Sequence, residues 1–205
     1  MGYIEFKKIM GSFTVFSLAE IRQADPAFHR RRLNEWQAKG YIRKVINGYY
    51  VFSDLLLDEK TLFQIANRIY APSYVSFEMA LAYYGFIPES VYSVTSASTR
   101  KTMSFKTSLG NFTYRTISPK LYFGFDYTMA NGRYFKIASA EKALLDYLYL
   151  NPKINDAESF ASLRLNVDQI LKKVDRRRMS SYAAAYKQKA LKKRVSAFWR
   201  HVENA

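Results

Sequence analysis

Residues 29–41 read HRRRLNEWQAKGY, and Ile46-Asn47-Gly48-Tyr49-Tyr50 follows shortly after. Three adjacent guanidinium groups repel one another and stay charged at any physiological pH. They need open water or an anionic partner. On a helical wheel of 100° per residue, His29, Leu33, Trp36 and Gly40 share one side. Arg31, Asn34, Glu35 and Ala38 face roughly the other way, with Arg30 and Arg32 at the flanks. Leu33 and Trp36 would pin such a helix to a core from behind and leave the basic side outward. Gly40 supplies a left-handed stop. Asn47-Gly48, set between aromatic and β-branched runs, is a two-residue hairpin turn joining Tyr41–Ile46 to Tyr49–Phe52.

Working outward, Tyr3–Met10 reads as a short amphipathic helix with Ile4, Ile9 and Phe6 as its candidate inward residues. Phe13–Phe16 is extended. Ser17 and Glu20 form a capping-box pattern that starts a helix over Leu18–Gln23. Asp25-Pro26 is a second start signal, because Asp caps and Pro fits a first helical turn. The helix that carries the arginines is therefore expected to run from Pro26 to Lys39. Within it Phe28 falls off the apolar side, where it either packs on a neighbouring helix, the favoured reading, or touches a thymine methyl, and His29 reads as a core histidine. Helix, helix, helix and hairpin within residues 1–54 is the order of a winged helix-turn-helix domain. In such a domain the third helix enters the major groove. Arg30, Arg31, Arg32 and Asn34 are the candidate base and phosphate contacts, since Arg reads guanine and Asn reads adenine through paired hydrogen bonds. Arg43, Lys44 and Asn47 lie on the hairpin, where a wing touches backbone or minor groove. Two plainer readings compete: a solvated basic helix face, and a winged helix that serves as a protein-interaction adaptor.

The chain has 205 residues, enough for one or two domains, and 49% are apolar, so a sizeable core is expected. Its net charge of +15 attracts polyanions. The charge is uneven: net +4 over residues 1–54, +2 over 55–163 and +9 over 164–205. There are no cysteines, which excludes disulfides, thiolate metal sites and a cysteine nucleophile. No run approaches ~20 apolar residues. With no signal-peptide pattern at the start, the expectation is a cytoplasmic protein without a membrane role.

Residues 55–205 read as a second domain of mixed type. Helices are expected over Asp58–Tyr70, Ser76–Tyr84 and Ala140–Leu150, the last capped by Ser139. Strands are expected over Val91–Ala97, Thr102–Lys106, Phe112–Ile117, Leu121–Phe125 and Tyr134–Ala138. Three helices follow over Val167–Val174, Arg176–Lys187 and Gln188–Glu203. In the last, Leu191, Val195, Phe198 and Val202 recur at helical spacing and suit docking onto the sheet. The class is α+β: a winged helix-turn-helix, then a mostly antiparallel sheet with a helical C-terminal end. Arg176, Arg177, Arg178, Lys192 and Lys193 form either a second, sequence-independent phosphate surface or a solvated face.

The pattern of an enzyme is missing. His29 and His201 are the two histidines, which is poor material for a metal site. No Gly-rich phosphate loop or nucleophile elbow occurs. Asp126 and Lys136 could sit on neighbouring strands as in a nuclease, but without the acidic-x-Lys spacing of such centres. Neither cofactor nor metal is expected.

Three further stretches carry a likeness. Arg32-Leu33-Asn34-Glu35-Trp36 with Lys39-Gly40-Tyr41-Ile42 and Asn47-Gly48-Tyr49-Tyr50 resembles the winged helix of the AbiEi abortive-infection antitoxin family. Ile69-Tyr70-Ala71-Pro72-Ser73-Tyr74-Val75-Ser76, followed by Ala80-Leu81-Ala82-Tyr83-Tyr84-Gly85, is similar to the opening of that family's second domain. Val94-Thr95-Ser96 and Ile137-Ala138-Ser139-Ala140-Glu141-Lys142-Ala143-Leu144-Leu145-Asp146 are similar to its later strand and helix. The resemblance spans about residues 13–150. It implies a type IV antitoxin that represses its own operon at inverted repeats in double-stranded DNA. It also implies neutralisation of a nucleotidyltransferase-like toxin without a stable complex. DNA contact carries over to Arg30, Arg31, Arg32, Asn34, Arg43, Lys44 and Asn47. Lys142 departs from the pattern, standing where an arginine is expected, and lacks its bidentate fork.

Overall fold

The structure is a computed structural model and describes residues 1–89 and 91–204. The chain opens with α1 (Tyr3–Met10), β1 (Phe16–Ser17), α2 (Leu18–Ala24), α3 (Arg31–Ala38) and the hairpin β2 (Ile42–Ile46)–β3 (Tyr49–Phe52). The small antiparallel sheet has the order β1-β3-β2. Phe6, Met10, Phe16, Ile21, Phe28, Leu33, Trp36, Ile42, Tyr50 and Phe52 close over one apolar cluster. In α1 it is Phe6 and Met10, four residues apart, that point inward, while Ile4 is exposed. Of the three expected inward residues Phe6 takes the core, its ring packed against Phe16, Phe52 and Trp36, while the expectation for Ile4 and Ile9 is corrected, since both are exposed.

The start of α3 also differs. Asp25 does not cap it. Its carboxylate accepts from the Ala27 N–H at 3.2 Å and its carbonyl from the Phe28 N–H at 2.9 Å, which makes a turn at Pro26-Ala27. On a helix running on from Pro26, Phe28 would point about 140° away from Leu33. Breaking the helix lets Phe28 turn back between Phe6 and Trp36. His29 is left exposed on the connecting segment, not packed inside.

The remaining elements are α4 (Glu59–Ile69), β4 (Ser73–Val75), α5 (Phe77–Tyr83), β5 (Ser93–Ser98), β6 (Met103–Thr107), β7 (Gly110–Thr116), β8 (Phe125–Ala130), β9 (Arg133–Ala138), α6 (Ala140–Leu150), α7 (Ala157–Ser162), α8 (Val167–Lys173), α9 (Arg176–Ala185) and α10 (Lys189–Asn204). The larger sheet has the order β6-β7-β5-β4-β9-β8. Its β6–β7, β5–β4 and β9–β8 pairs are antiparallel, and β7–β5 and β4–β9 are parallel. The protein is of the α+β class. The strand expected over Leu121–Phe125 is instead a 3-10 turn at Pro119–Leu121, with the strand starting at Phe125. Among the described residues the last helix docks chiefly on α6, α7 and α9, where docking on the sheet was expected. Among the described residues no helix is long and apolar enough to cross a membrane.

Side chains of the first 54 residues bond directly to the larger body. Val15, Val45 and Val51 pack into its core. Arg133 of β9 donates to the carbonyls of Ser12 (2.8 Å) and Gly11 (2.6 Å). Thr14 donates to Gln64 at 2.6 Å inside the seam, and Arg68 pairs with Glu20. These contacts lie away from Arg30–Arg32, which remain in solvent.

Candidate nucleic-acid interface

The orientation of α3 follows from two side chains. Leu33 is fully buried and Trp36 nearly so, its ring centroid 4.4 Å from that of Phe6 and 5.5 Å from that of Phe28. Everything on the far side of the helix faces water: Arg30, Arg31, Asn34, Glu35 and Ala38 are exposed. Arg30 is the N-cap residue, and Arg31 and Arg32 fill the first turn. That turn holds no acidic residue, and no side chain caps it. The positive end of the helix dipole and the guanidinium groups therefore add up, where an acidic residue would ordinarily offset the dipole. An anion brought here would relieve both.

The three arginines are not equally free. Arg31 makes a loose i,i+4 pair with Glu35, 3.6 Å apart and mostly solvent-exposed. Pairs of this kind contribute little. Arg32 donates to the Met1 carbonyl, while the Met1 ammonium pairs with Asp25 at 3.3 Å, so Arg32 also ties down the chain start. Arg30 and the Asn34 amide bond to no side chain among the described residues.

On the hairpin, Lys44 and Asn47 are exposed at its outer end, where Gly48 takes a φ of +87° to close the turn. Arg43 is different. It pairs in register with Val51, whose side chain packs into the larger body's core, and neighbouring strand positions alternate between faces. Arg43 is half-buried, and its Nε finds no partner among the described residues. The structure thus groups Arg30, Arg31, Asn34, Lys44 and Asn47 as solvent-facing, with Arg32 partly engaged and Arg43 turned toward the larger body.

The second basic cluster is built otherwise. Asp175 caps α9 by accepting from the N–H groups of Arg177 (2.7 Å) and Arg178 (3.1 Å). Arg176 pairs with Glu203 and lies 5.3 Å from the Trp199 ring centroid. Arg178 donates to Glu141 at 2.7 Å. Burial raises the Glu141 pKa, yet Arg178, the Asp175 N–H and Ser139 outweigh it and hold the carboxyl below its ordinary value. Arg177, Lys192 and Lys193 are exposed.

Sequence reasoning missed the polar centre of the larger body. Lys142 and Asp146 are fully buried on α6 and form an ion pair. Asp146 also accepts from Tyr74 (2.8 Å), Ser76 (2.9 Å) and Tyr186 (2.8 Å). Burial depresses the Lys142 pKa against the opposing pull of Asp146, and burial together with Asp146 pushes Tyr74 well up. Gly124 makes room for this packing. A Cβ there would stand 2.9 Å from the Tyr182 ring and 3.3 Å from the Lys142 side chain. The available signal was a Lys and an Asp four residues apart in a helix whose other residues, Glu141 apart, are apolar or aromatic.

Asp126 and Lys136 do not converge. Asp126 pairs in register with Ile137 and Tyr127 with Lys136, which puts the two side chains on opposite faces of the β8–β9 pair. Among the described residues no three His, Asp or Glu side chains gather as metal ligands. No protein-family model matches the chain, and no curated protein matches it.

Proposed function

We propose that the protein is a cytoplasmic DNA-binding repressor of its own operon that doubles as an antitoxin against a nucleotidyltransferase-type toxin. Residues 1–54 act as a winged helix-turn-helix with α3 in the major groove, and catalysis plays no part. The observation that carries the reading is the outward side of α3. There Arg30, Arg31 and Asn34 face solvent above a helix end with no acid in its first turn, Arg31 held only by its loose pair with Glu35. The pairing order β1-β3-β2 beside α2 and α3 supports it, as do Lys44 and Asn47 on the exposed hairpin end. The antitoxin half is supported by the likeness to AbiEi proteins over residues 13–150.

The mechanism is electrostatic docking followed by base readout. Phosphate contacts from Lys44 and the flanking arginines set the register, and Arg31 and Asn34 read base edges. Each good bidentate contact is worth about 1–3 kcal/mol of discrimination. The test is binding to duplex DNA from upstream of the protein's own reading frame, beside a shuffled duplex. Arg31→Ala is expected to weaken the first far more than the second. Lys44→Ala is expected to weaken both equally and flatten the salt dependence by about one phosphate. Equal losses on both duplexes for Arg31→Ala would defeat base readout. Binding that ignores salt would favour the adaptor reading.

A further inference from the structure

The sheet ends in a hairpin with one uncovered face. β8 and β9 pair so that Tyr127 stands opposite Lys136, and Met129 opposite Tyr134. These four side chains share a face. Tyr127, Met129 and Tyr134 are 64%, 57% and 61% exposed, a cluster of large side chains left in solvent among the described residues. The other face is ordinary core: Phe135 and Ile137 are buried, and Phe63 of α4 packs edge-on against Phe135. The hairpin is held stiffly. The Asn67 side chain bonds the backbone N–H and C=O of Lys136, as a neighbouring strand would. Gln64 bonds the Ala130 carbonyl, and Asn131 bonds Asp58 beyond the turn.

The chemistry of this face is specific. The Lys136 ammonium lies 5.4–5.8 Å from the ring centroids of Tyr122, Phe125 and Tyr127, and pairs with no carboxylate among the described residues. The adjoining hollow, about 180 Å³, is lined by Tyr127, Tyr134 and Lys136 together with α4 side chains, none of them acidic. Asp126, the carboxylate of β8, points to the opposite face. Tyr127 and Tyr134 are diagonal cross-strand neighbours, a spacing of about 7–8 Å. Two exposed rings on one face, one ammonium without a carboxylate partner and no acid match unpaired bases on a phosphodiester chain. A duplex offers no such base faces along its length.

We propose that the β8–β9 face binds a single strand of nucleic acid, with bases stacked on Tyr127 and Tyr134 and a phosphate at Lys136. The site is separate from α3 and does not rest on the duplex-binding reading. The test uses the full chain and a labelled oligothymidylate of about a dozen nucleotides. Tyr127→Ala and Tyr134→Ala change no charge, so general attraction to a basic protein is untouched. Each is expected to weaken the oligonucleotide about tenfold, while Tyr→Phe at the same positions holds within about threefold. Both alanine variants and Arg31→Ala are run in parallel on duplex DNA, where the tyrosine changes are expected to do nothing. Their melting temperatures confirm that they fold. Unchanged oligonucleotide affinity in a folded Tyr127→Ala/Tyr134→Ala variant overturns the proposal. So does equal loss on duplex and single strand, or a wild-type chain that does not bind the single strand.

Discussion

Arg30-Arg31-Arg32 and Arg176-Arg177-Arg178 are the same tripeptide at the same place, the start of a helix, and they come to opposite ends. The second is neutralised from within. Asp175 caps its helix, Glu203 takes Arg176, and the buried Glu141 takes Arg178. The first has neither a capping side chain nor an acid in its first turn, and apart from the loose, exposed Arg31–Glu35 pair and the Arg32 bond to the Met1 carbonyl it points into water. A run of arginines is thus fastening in one place and an open cation in the other. What decides is whether the fold brings carboxylates to it. This assigns Arg176 and Arg178, expected as phosphate contacts or solvated residues, a part in holding α9 against α6 and α10.

The largest expected effect tests the fastened extreme of the contrast, Lys142. Lys142→Met leaves Asp146 charged and buried, with hydroxyl donors alone. Urea unfolding is expected to show a loss of about 3–5 kcal/mol. Adding Asp146→Asn is expected to recover part of that loss, because the orphaned charge is gone. Arg178→Ala comes next. With one partner half-exposed, about 1–2 kcal/mol of stability is expected to go, with duplex binding unchanged. The converse variant, Arg30→Ala, is expected to leave the unfolding midpoint where it is.

Acid sharpens the same comparison. Glu141 is held below its ordinary pKa in the folded state, so the unfolded chain takes up the proton first. Its contribution is complete above the ordinary glutamate range and fades as pH falls from that range through the lower folded value. Arg178→Ala is expected to shrink that acid limb of the stability curve. An unaltered limb would mean that Arg178 does not hold the carboxylate. Within the fastened triplet the smallest loss is reserved for Arg176→Ala, an exposed pair expected to cost about 0.5 kcal/mol or less.

Local signals carried much of the fold. Ser17 with Glu20, Ser139, Asn47-Gly48 and the Leu191–Val202 spacing each act within a few residues, and each element formed about where its residues placed it. Misses came where distant partners decide. β4 has three residues, too short for a period, and becomes central because β5 and β9 flank it. The break before α3 is set by Phe28 seeking the Phe6 and Trp36 rings. The fates of Arg176 and Arg178 depend on acids 27 and 37 positions away. No window of sequence shows that, which is why two identical triplets looked alike. The candidate duplex-binding residues were legible because their exposure depends on Leu33 and Trp36, within the same two turns. Arg43 was not, since the larger body determines which hairpin face is open.

The most direct measurement compares two triple variants, Arg30/Arg31/Arg32→Ala and Arg176/Arg177/Arg178→Ala, in duplex binding across a salt series. Losing phosphate contacts lowers the slope of log affinity against log salt by about 0.9 for each. The first variant is expected to lose about 2 from the slope and most of the affinity for upstream DNA. The second is expected to lose less than 1 and to unfold at lower denaturant. Equal slopes for the two variants, or the larger drop in the second, would contradict the assignment of the first triplet to DNA.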